Sequence, residues 1–315
     1  MHEEEKRSIL VDIFGKHHFS GDEILFFCPK CEHHKKKLSV NIKKGAFKCW
    51  VCGYNSVNIY RLIKKYGSFL ARQRWEELEE QVDFSDSSLD DLFKIPDEVV
   101  KEQVLGLPKE FISLANKKLP LTSLAPLRYL KKRLIGREDI LKWKIGYCST
   151  GEYAGRVIIP SFNKDGKINY FIARTYTDEW RKYKLPENVS KDIIFNELFI
   201  DWANDLVLTE GTFDAIKATN SVPLLGSSLN ENSKLFQEIV KHDTAIYVAL
   251  DPDAEKKALQ LIKALLSYDV EMYKVDVSGY EDVGEMTKEK FIERKNEAPL
   301  MDTVSYLEYE VSRII

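Results

Sequence analysis

Between residues 205 and 275, short apolar runs alternate with stretches whose apolar residues recur at helical spacing. DLVLTEG precedes TFDAIKATNS, VPLLG precedes NENSKLFQEIVKH, TAIYVALD precedes AEKKALQLIKALLSY, and EMYKVD closes the series. The runs lack the apolar–polar alternation of a half-exposed strand. They predict strands covered on both faces, and their order with the helices predicts a doubly wound parallel sheet. Upstream, GRVIIPSFNKDGKINYFIARTY reads as two strands joined by Asn-Lys-Asp-Gly, a β-hairpin signal. LAPLRYLKKRLIGREDILKWKIGY predicts two helices with the turn at Gly136. VNIYRLIKKYG predicts a short amphipathic helix with Ile59, Leu62 and Ile63 on one side. A helix-like RQRWEELEEQ then runs into the acidic, polar DFSDSSLDDL, which reads as linker, and a short helical segment is expected after residue 285.

Composition changes this picture in two ways. The 315 residues suffice for two or three domains, and no run approaches the roughly 18 apolar residues of a membrane helix, so a cytoplasmic setting is expected. The net charge is −3, but residues 1–67 carry +6 and the remainder −9, the signature of a basic module joined to an acidic one.

Four of the five cysteines fall in the basic module as two C-x2-C pairs, Cys28 with Cys31 and Cys49 with Cys52, separated by 17 residues. That spacing predicts a four-thiolate structural zinc site with the intervening segment folded as a hairpin; the alternative, two disulfides, suits a reducing compartment poorly. His33 and His34 are alternative ligands beside an already complete set. Lys35, Lys36, Lys37, Lys43, Lys44 and Lys48 are interleaved with Phe47, Trp50 and Tyr54. Cations for phosphates and rings for unstacked bases suit single-stranded nucleic acid, although the rings also suit the core of a zinc ribbon. The remaining cysteine, Cys148, reads as a buried filler.

In the acidic module, TAIYVALD ends at Asp251, and Pro252 separates it from Asp253. Ligands of parallel sheets sit at strand C-termini, so both carboxylates are expected in a crevice. Asp253 alone would serve as a helix cap. Two aspartates this close repel, and a shared divalent cation relieves the repulsion. DLVLTEG repeats the pattern: Glu210 ends a strand and Asp214 opens the following helix, while Asp282 sits in a later loop. Oxygen ligands of this kind favour magnesium or manganese, with two ions promoting nucleotidyl transfer. Arg156, Arg174, Lys182 and Lys184 lie on or beside the hairpin strands, placed to hold template or triphosphate.

Glu210-Gly211 followed by Asp251-Pro252-Asp253 resembles the TOPRIM domain. YLKKRLIGREDILKWKIGY, GRVIIPSFNKDGKINYFIARTY, KYKLPEN, IIFNELF and KFIERKNEAPLMDTVSYLEYEV resemble successive segments of the DnaG-type primase core, in the family's order. The resemblance implies an α/β multidomain chain: a zinc ribbon over 1–67, a linker over 68–106, the basic part of an RNA polymerase core over 107–204, a TOPRIM domain over 205–285 and a helical segment over 286–315. It implies synthesis of short RNA primers on single-stranded DNA from ribonucleoside triphosphates. Glu210, Asp214, Asp251, Asp253 and Asp282 would hold the metals, with Glu210 a candidate general base.

Two departures stand out. Gly284 occupies a position where the family usually has an aspartate, so a ligand is missing or is supplied by Glu285. The four-cysteine set resembles phage members more than cellular ones. No helicase-binding domain is expected within this length, and no P-loop motif occurs, so a replicative helicase would act in trans, with single-stranded-DNA-binding protein and DNA polymerase as further partners in a bacterial or phage-infected cell. A TOPRIM nuclease, or an inactive single-strand-binding factor of replication or recombination, are the rival readings.

Overall fold

A computed structural model of the chain describes residues 2–80, 105–187, 189–226 and 229–312. The chain divides into two compact units, Met1–Glu102 forming the first and Gln103 onward the bulk of the second.

The first unit runs α1 (His2–Phe14), β1 (His17–Ser20), β2 (Glu23–Phe26), β3 (Leu38–Asn41), β4 (Ala46–Cys49), β5 (Asn55–Ser56), α2 (Tyr60–Tyr66) and α3 (Phe69–Glu80). Among the described residues its strands form one antiparallel sheet in sequential order. The register sets Ile24 opposite Val40, Phe26 opposite Leu38 and Val40 opposite Phe47, which puts these residues on one face. Ile9 and Leu10 of α1, Leu62 and Ile63 of α2, and Trp75 and Leu78 of α3 share that core. The division after Glu102 falls within the 68–106 segment expected as linker, and α3, at the start of that segment, buries Trp75 and Leu78 in the core of the first unit. Residues 81–104 of the expected linker lie outside the described residues.

The second unit contains β6 (Phe111–Ser113), α4 (Leu124–Lys132), α5 (Arg137–Lys142), β7 (Gly146–Cys148), β8 (Arg156–Phe162), β9 (Ile168–Thr175) and β10 (Tyr183–Lys184). It continues with β11 (Leu206–Thr209), α6 (Thr212–Lys217), β12 (Ser221–Pro223), α7 (Lys234–His242), β13 (Ile246–Ala249), α8 (Glu255–Leu266), β14 (Met272–Lys274), α9 (Lys288–Asn296) and α10 (Thr303–Ser312). The strands β6–β10 make an antiparallel sheet in the order β10-β9-β8-β7-β6, in which the predicted hairpin is β8–β9. Gly166, at φ 77°, takes the left-handed position of its turn. Between α4 and α5 the left-handed residue is Leu134, at φ 55°, and not Gly136. Gly136 instead precedes α5 in extended conformation and donates its N–H to Asp139 Oδ2 at 3.0 Å. The Leu134 turn is held from outside: the buried Lys217 Nζ of α6 donates to its carbonyl at 2.6 Å.

The remaining strands form a parallel sheet in the order β12-β11-β13-β14, whose inner strands β11 and β13 are buried almost throughout, as the unalternating apolar runs required. The chain moves outward one way from β11 to β12 and the other way from β13 to β14. The order therefore reverses between β11 and β13, opening a crevice beyond their C-termini. Phe213, Ala215 and Ile216 of α6 pack with Ile145, Val157, Ile159 and Trp143, joining the parallel sheet to the antiparallel one in a single core. Phe291 of α9 packs beneath the sheet with Val207, Val275 and Met286. Tyr309 of α10 donates its hydroxyl to Glu255 Oε1 of α8 at 2.7 Å. Among the described residues no helix is long and apolar enough to cross a membrane.

Candidate metal centres and acidic crevice

Two features of the first unit bring its cysteines together. β2 and β4 each lead into a tight turn carrying a C-x2-C pair, with Glu32 N–H donating to the Cys28 carbonyl at 2.9 Å and Gly53 N–H to the Cys49 carbonyl at 3.1 Å. Glu32 and Gly53 take positive φ of 53° and 67° to close these turns. The ligand atoms of Cys28, Cys31, Cys49 and Cys52 all lie within 4.8 Å of one another. Two sulfur pairs, Cys28–Cys52 and Cys31–Cys49, stand 3.8 Å apart. Sulfurs placed tetrahedrally about 2.3 Å from a zinc ion would be separated by about 3.8 Å. The donor set therefore fits a closed four-thiolate site. Without a cation, burial pushes the Cys28 and Cys49 thiols up. For Cys52, burial is outweighed by the backbone N–H of Tyr54 and by neighbouring thiols, and the net direction is down.

The lysines placed around this site differ in what they offer. Lys44 is exposed; Lys43 is exposed but paired with Asp22 Oδ1 at 2.6 Å. Lys35, Lys36 and Lys48 are half-buried, and Lys37 is buried. Lys36 Nζ lies 5.5 Å from the Phe27 ring centroid, and Lys48 Nζ 4.4 Å from that of the half-buried Trp50. Phe47 is core, as the zinc-ribbon alternative required.

In the second unit the crevice between β11 and β13 collects the carboxylates. Thr209 pairs with Ala249, so Glu210 leaves β11 close to where Leu250 and Asp251 leave β13. Neighbouring strands are about 4.8 Å apart. Asp214 lies in the first turn of α6, 5% exposed; its Oδ2 accepts from Gly211 N–H at 2.8 Å and its Oδ1 from Gly284 N–H at 2.9 Å. Asp282 precedes a short 3₁₀ turn and accepts from Glu285 N–H at 3.0 Å. Asp253 is exposed, in the turn Pro252–Ala254.

Burial, and then the charges of Asp214, Glu210, Asp282 and Asp253, push the Asp251 carboxyl up to about 7. Burial and Asp282 raise Asp214 to about 6, against the two backbone N–H groups and Arg133. Asp251 Oδ1 and Glu210 Oε2 are buried without a hydrogen-bond partner. Repelling carboxylates with orphaned oxygens are the donor chemistry that a hard divalent cation satisfies, so the donor types fit one; no three of the five bring oxygens within 4.8 Å of one another, and a bound ion would have to draw them together. Glu210 Oε1 meets one cation of the chain itself, Lys257 Nζ of α8 at 3.3 Å.

Gly284 has its own reason to be glycine. A Cβ there would lie 3.0 Å from both Asp214 Oδ1 and Asp282 Oδ1, and the Gly284 N–H occupies the approach to Asp214. Glu285 does not replace the missing aspartate: it is exposed, and its Oε2 accepts from Glu281 N–H at 3.0 Å.

The basic residues singled out from sequence are not equivalent. Arg156 is 2% exposed; its Nη2 donates to Glu179 Oε2 at 2.5 Å and to the Arg181 carbonyl at 3.1 Å, and its Nη1 to the Lys182 carbonyl at 3.4 Å. Its guanidinium pins the β9–β10 hairpin and is not offered to a ligand, contrary to the role expected for it. Lys184 is paired with Glu152 Oε1 at 3.0 Å. Arg174 stacks on Tyr183 at 4.5 Å, and Lys182 is exposed. Sequence reasoning passed over Arg133, which stacks on Phe213 at 4.8 Å and lowers the neighbouring Asp214, and Lys257. Lys257 lies four residues after Asp253, one helical turn, which was the available signal. Arg133 lies in an undistinguished basic run, KKR.

No family model matches the sequence. A DNA primase of Staphylococcus epidermidis is 22% identical over 212 residues, 58% of this chain and 35% of that protein, so this chain spans about a third of the length of the curated relative it matches. A DnaG primase catalytic domain bound to single-stranded DNA superposes with a TM-score of 0.51 at 18% identity, covering 62% of this chain and 78% of that one. The RNA polymerase domain of Mycobacterium tuberculosis primase DnaG does so with a TM-score of 0.51 at 13% identity, covering 63% and 82%. Over some three-fifths of its length, this chain has the fold of a DnaG primase catalytic core.

Proposed function

We propose that the chain is a DnaG-type DNA primase, synthesising short RNA primers on single-stranded DNA from ribonucleoside triphosphates. The observation that carries the reading is the gathering of five carboxylates, two with orphaned buried oxygens, where the strand order of a primase-like sheet reverses. Glu210, Asp251 and Asp253, with Asp214 and Asp282 behind them, would hold magnesium or manganese. When bound, such ions lower the cost of ionising a primer 3′-hydroxyl and neutralise the departing pyrophosphate.

The chain's own residues do the rest. Gly211 and Gly284 N–H groups fix Asp214, whose charge in turn bears on Asp251 and adds to the demand for a cation in the crevice. Glu210 stands at the rim as the candidate acceptor of the hydroxyl proton. Lys257 holds Glu210 in place at 3.3 Å, and Arg133, Arg174 and Lys182 supply cations for triphosphate or template. Catalysis then rests on positioning and charge neutralisation. The cysteine cluster would hold structural zinc, and its module would help select the start site. The all-cysteine set favours a phage replisome, with a replicative helicase as partner.

The test is direct: the whole protein is incubated with single-stranded DNA, four ribonucleotides and magnesium. Short labelled RNA supports the proposal. Cleaved DNA would instead mark a nuclease, and retardation without product a binding factor; either outcome sinks the priming reaction.

A further inference from the structure

The hairpin between β9 and β10 presents a residue that the proposed reaction does not use. Trp180 is 86% exposed, more than any other aromatic ring among the described residues. An indole left in water forgoes the burial that usually places tryptophan inside. The exposure does not come from a slack loop. Arg156, itself buried, grips Glu179 on one side of the ring and the Arg181 and Lys182 carbonyls on the other. Thr175 N–H donates to the Lys182 carbonyl at 3.0 Å, and the Thr175 and Thr177 hydroxyls hydrogen-bond at 2.9 Å. The chain is held through the Glu179 side chain before Trp180 and through the backbone after it, and the ring stands out between the two.

Its neighbours are cationic more than apolar. Arg181 lies 5.9 Å from the ring centroid, and Lys182 is exposed beside it. Of the two acidic residues at the tip, Glu179 is neutralised by Arg156, leaving Asp178 as the opposing charge. At the base of the hairpin, Tyr183 carries the Arg174 guanidinium and is close enough to Asp214 for that carboxylate to act on it. The platform thus runs directly into β10, where Tyr183 pairs with Arg174 of β9. The core of a protein–protein interface is depleted of Lys, Glu and Asp, whereas Asp178, Glu179 and Lys182 all stand within two residues of Trp180.

We infer that Trp180 and Arg181 form a stacking platform for an unpaired base of the nucleic-acid strand leading to the crevice. The ring takes a base face, and Arg181 and Lys182 take the adjoining phosphates. The inference rests on the reading that the chain acts on single-stranded DNA, and it assigns one specific residue to the strand.

The experiment compares the full-length protein with Trp180→Ala and Trp180→Phe by fluorescence anisotropy of a labelled oligothymidylate, over a range of salt concentrations. Stacking on an aromatic side chain contributes a factor of about five to a hundred per base, so Trp180→Ala should bind weaker by that factor. Trp180→Phe should retain most of the affinity. The salt slope should be unchanged, because no cation is removed. Equal affinity of Trp180→Ala and the natural protein overturns the inference, and so does a loss as large in Trp180→Phe. A lowered melting temperature of Trp180→Ala would overturn it too, by showing that the ring packs within the fold. Strand binding that depends on Trp180 without any RNA product would refute priming and leave this inference standing; RNA product with binding indifferent to Trp180 would do the reverse.

Discussion

Replacing Asp251 by asparagine should make the metal-free protein more stable while removing its activity. A carboxyl held at about 7 in place of the ordinary 3.8 means that ionised Asp251 costs the fold at most ~4 kcal/mol at pH 8, at about 1.4 kcal/mol per pKa unit. Water reaching a half-buried side chain, and relaxation of the other carboxylates, reduce the expected gain to ~2–4 kcal/mol. The sign follows from proton binding. The folded state holds this proton more tightly than the unfolded chain, so the contribution is most favourable below about pH 4 and is lost progressively as pH rises towards 7. The asparagine variant carries no such penalty, and its advantage at pH 5.5 should be roughly half that at pH 8. Urea unfolding followed by circular dichroism measures this, with magnesium removed by dialysis and not by a chelator, which would also strip any zinc from the thiolates. Added magnesium should stabilise the natural protein at pH 8 and do much less for the variant. A variant no more stable than the natural protein at pH 8, or one whose gain is the same at both pH values, would refute the reasoning.

Other outcomes follow from the same structure. Lys257→Met removes the ammonium 3.3 Å from Glu210, so magnesium should raise the melting temperature at lower concentration than in the natural protein; an unmoved midpoint would contradict the competition. Arg156→Met leaves Glu179 and the Arg181 carbonyl without their Arg156 donor, and the Lys182 carbonyl with Thr175 N–H alone, for a loss of ~2 kcal/mol in thermal or urea unfolding. Cys49→Ser removes a buried thiol of the metal cluster and of the first unit's core. It should abolish stoichiometric zinc by elemental analysis and the cooperative unfolding of that unit.

Much of the fold could be read from the chain because its signals are local. The apolar runs around Val207 and Val248 have no polar alternation, and both became inner strands of the parallel sheet. Asn163–Gly166 lies between two apolar runs, and a hairpin formed there. The paired cysteines sit where turns of defined spacing must close. Where sequence reading stopped, the deciding interaction was distant. The start HEEEKRS hides α1 behind its charges, because only Ile9 and Leu10 of the helix are fully buried. RQRWEELEEQ resembles linker helix until Trp75 meets the zinc-ribbon sheet. Leu134 takes the left-handed turn beside an available glycine because Lys217, 83 residues later, claims its carbonyl.

In the crevice, the residue types and their strand-end positions were legible, since carboxylates ending buried strands are costly without a ligand. Which cations attend them was not. Arg156 reads as an exposed charge on a strand, yet it is consumed by carbonyls that only the folded hairpin presents. Gly284 reads as a lost ligand until the space beside it is seen to be filled by Asp214 and Asp282.

The central claim is that the crevice beyond β11 and β13 is a divalent-metal site. Crystals of the full protein soaked in manganese, with diffraction recorded at wavelengths where manganese scatters anomalously, test it most directly. Anomalous density is expected within coordination distance of Glu210, Asp251 and Asp253. Manganese found elsewhere on the protein, with none between these carboxylates, would contradict it.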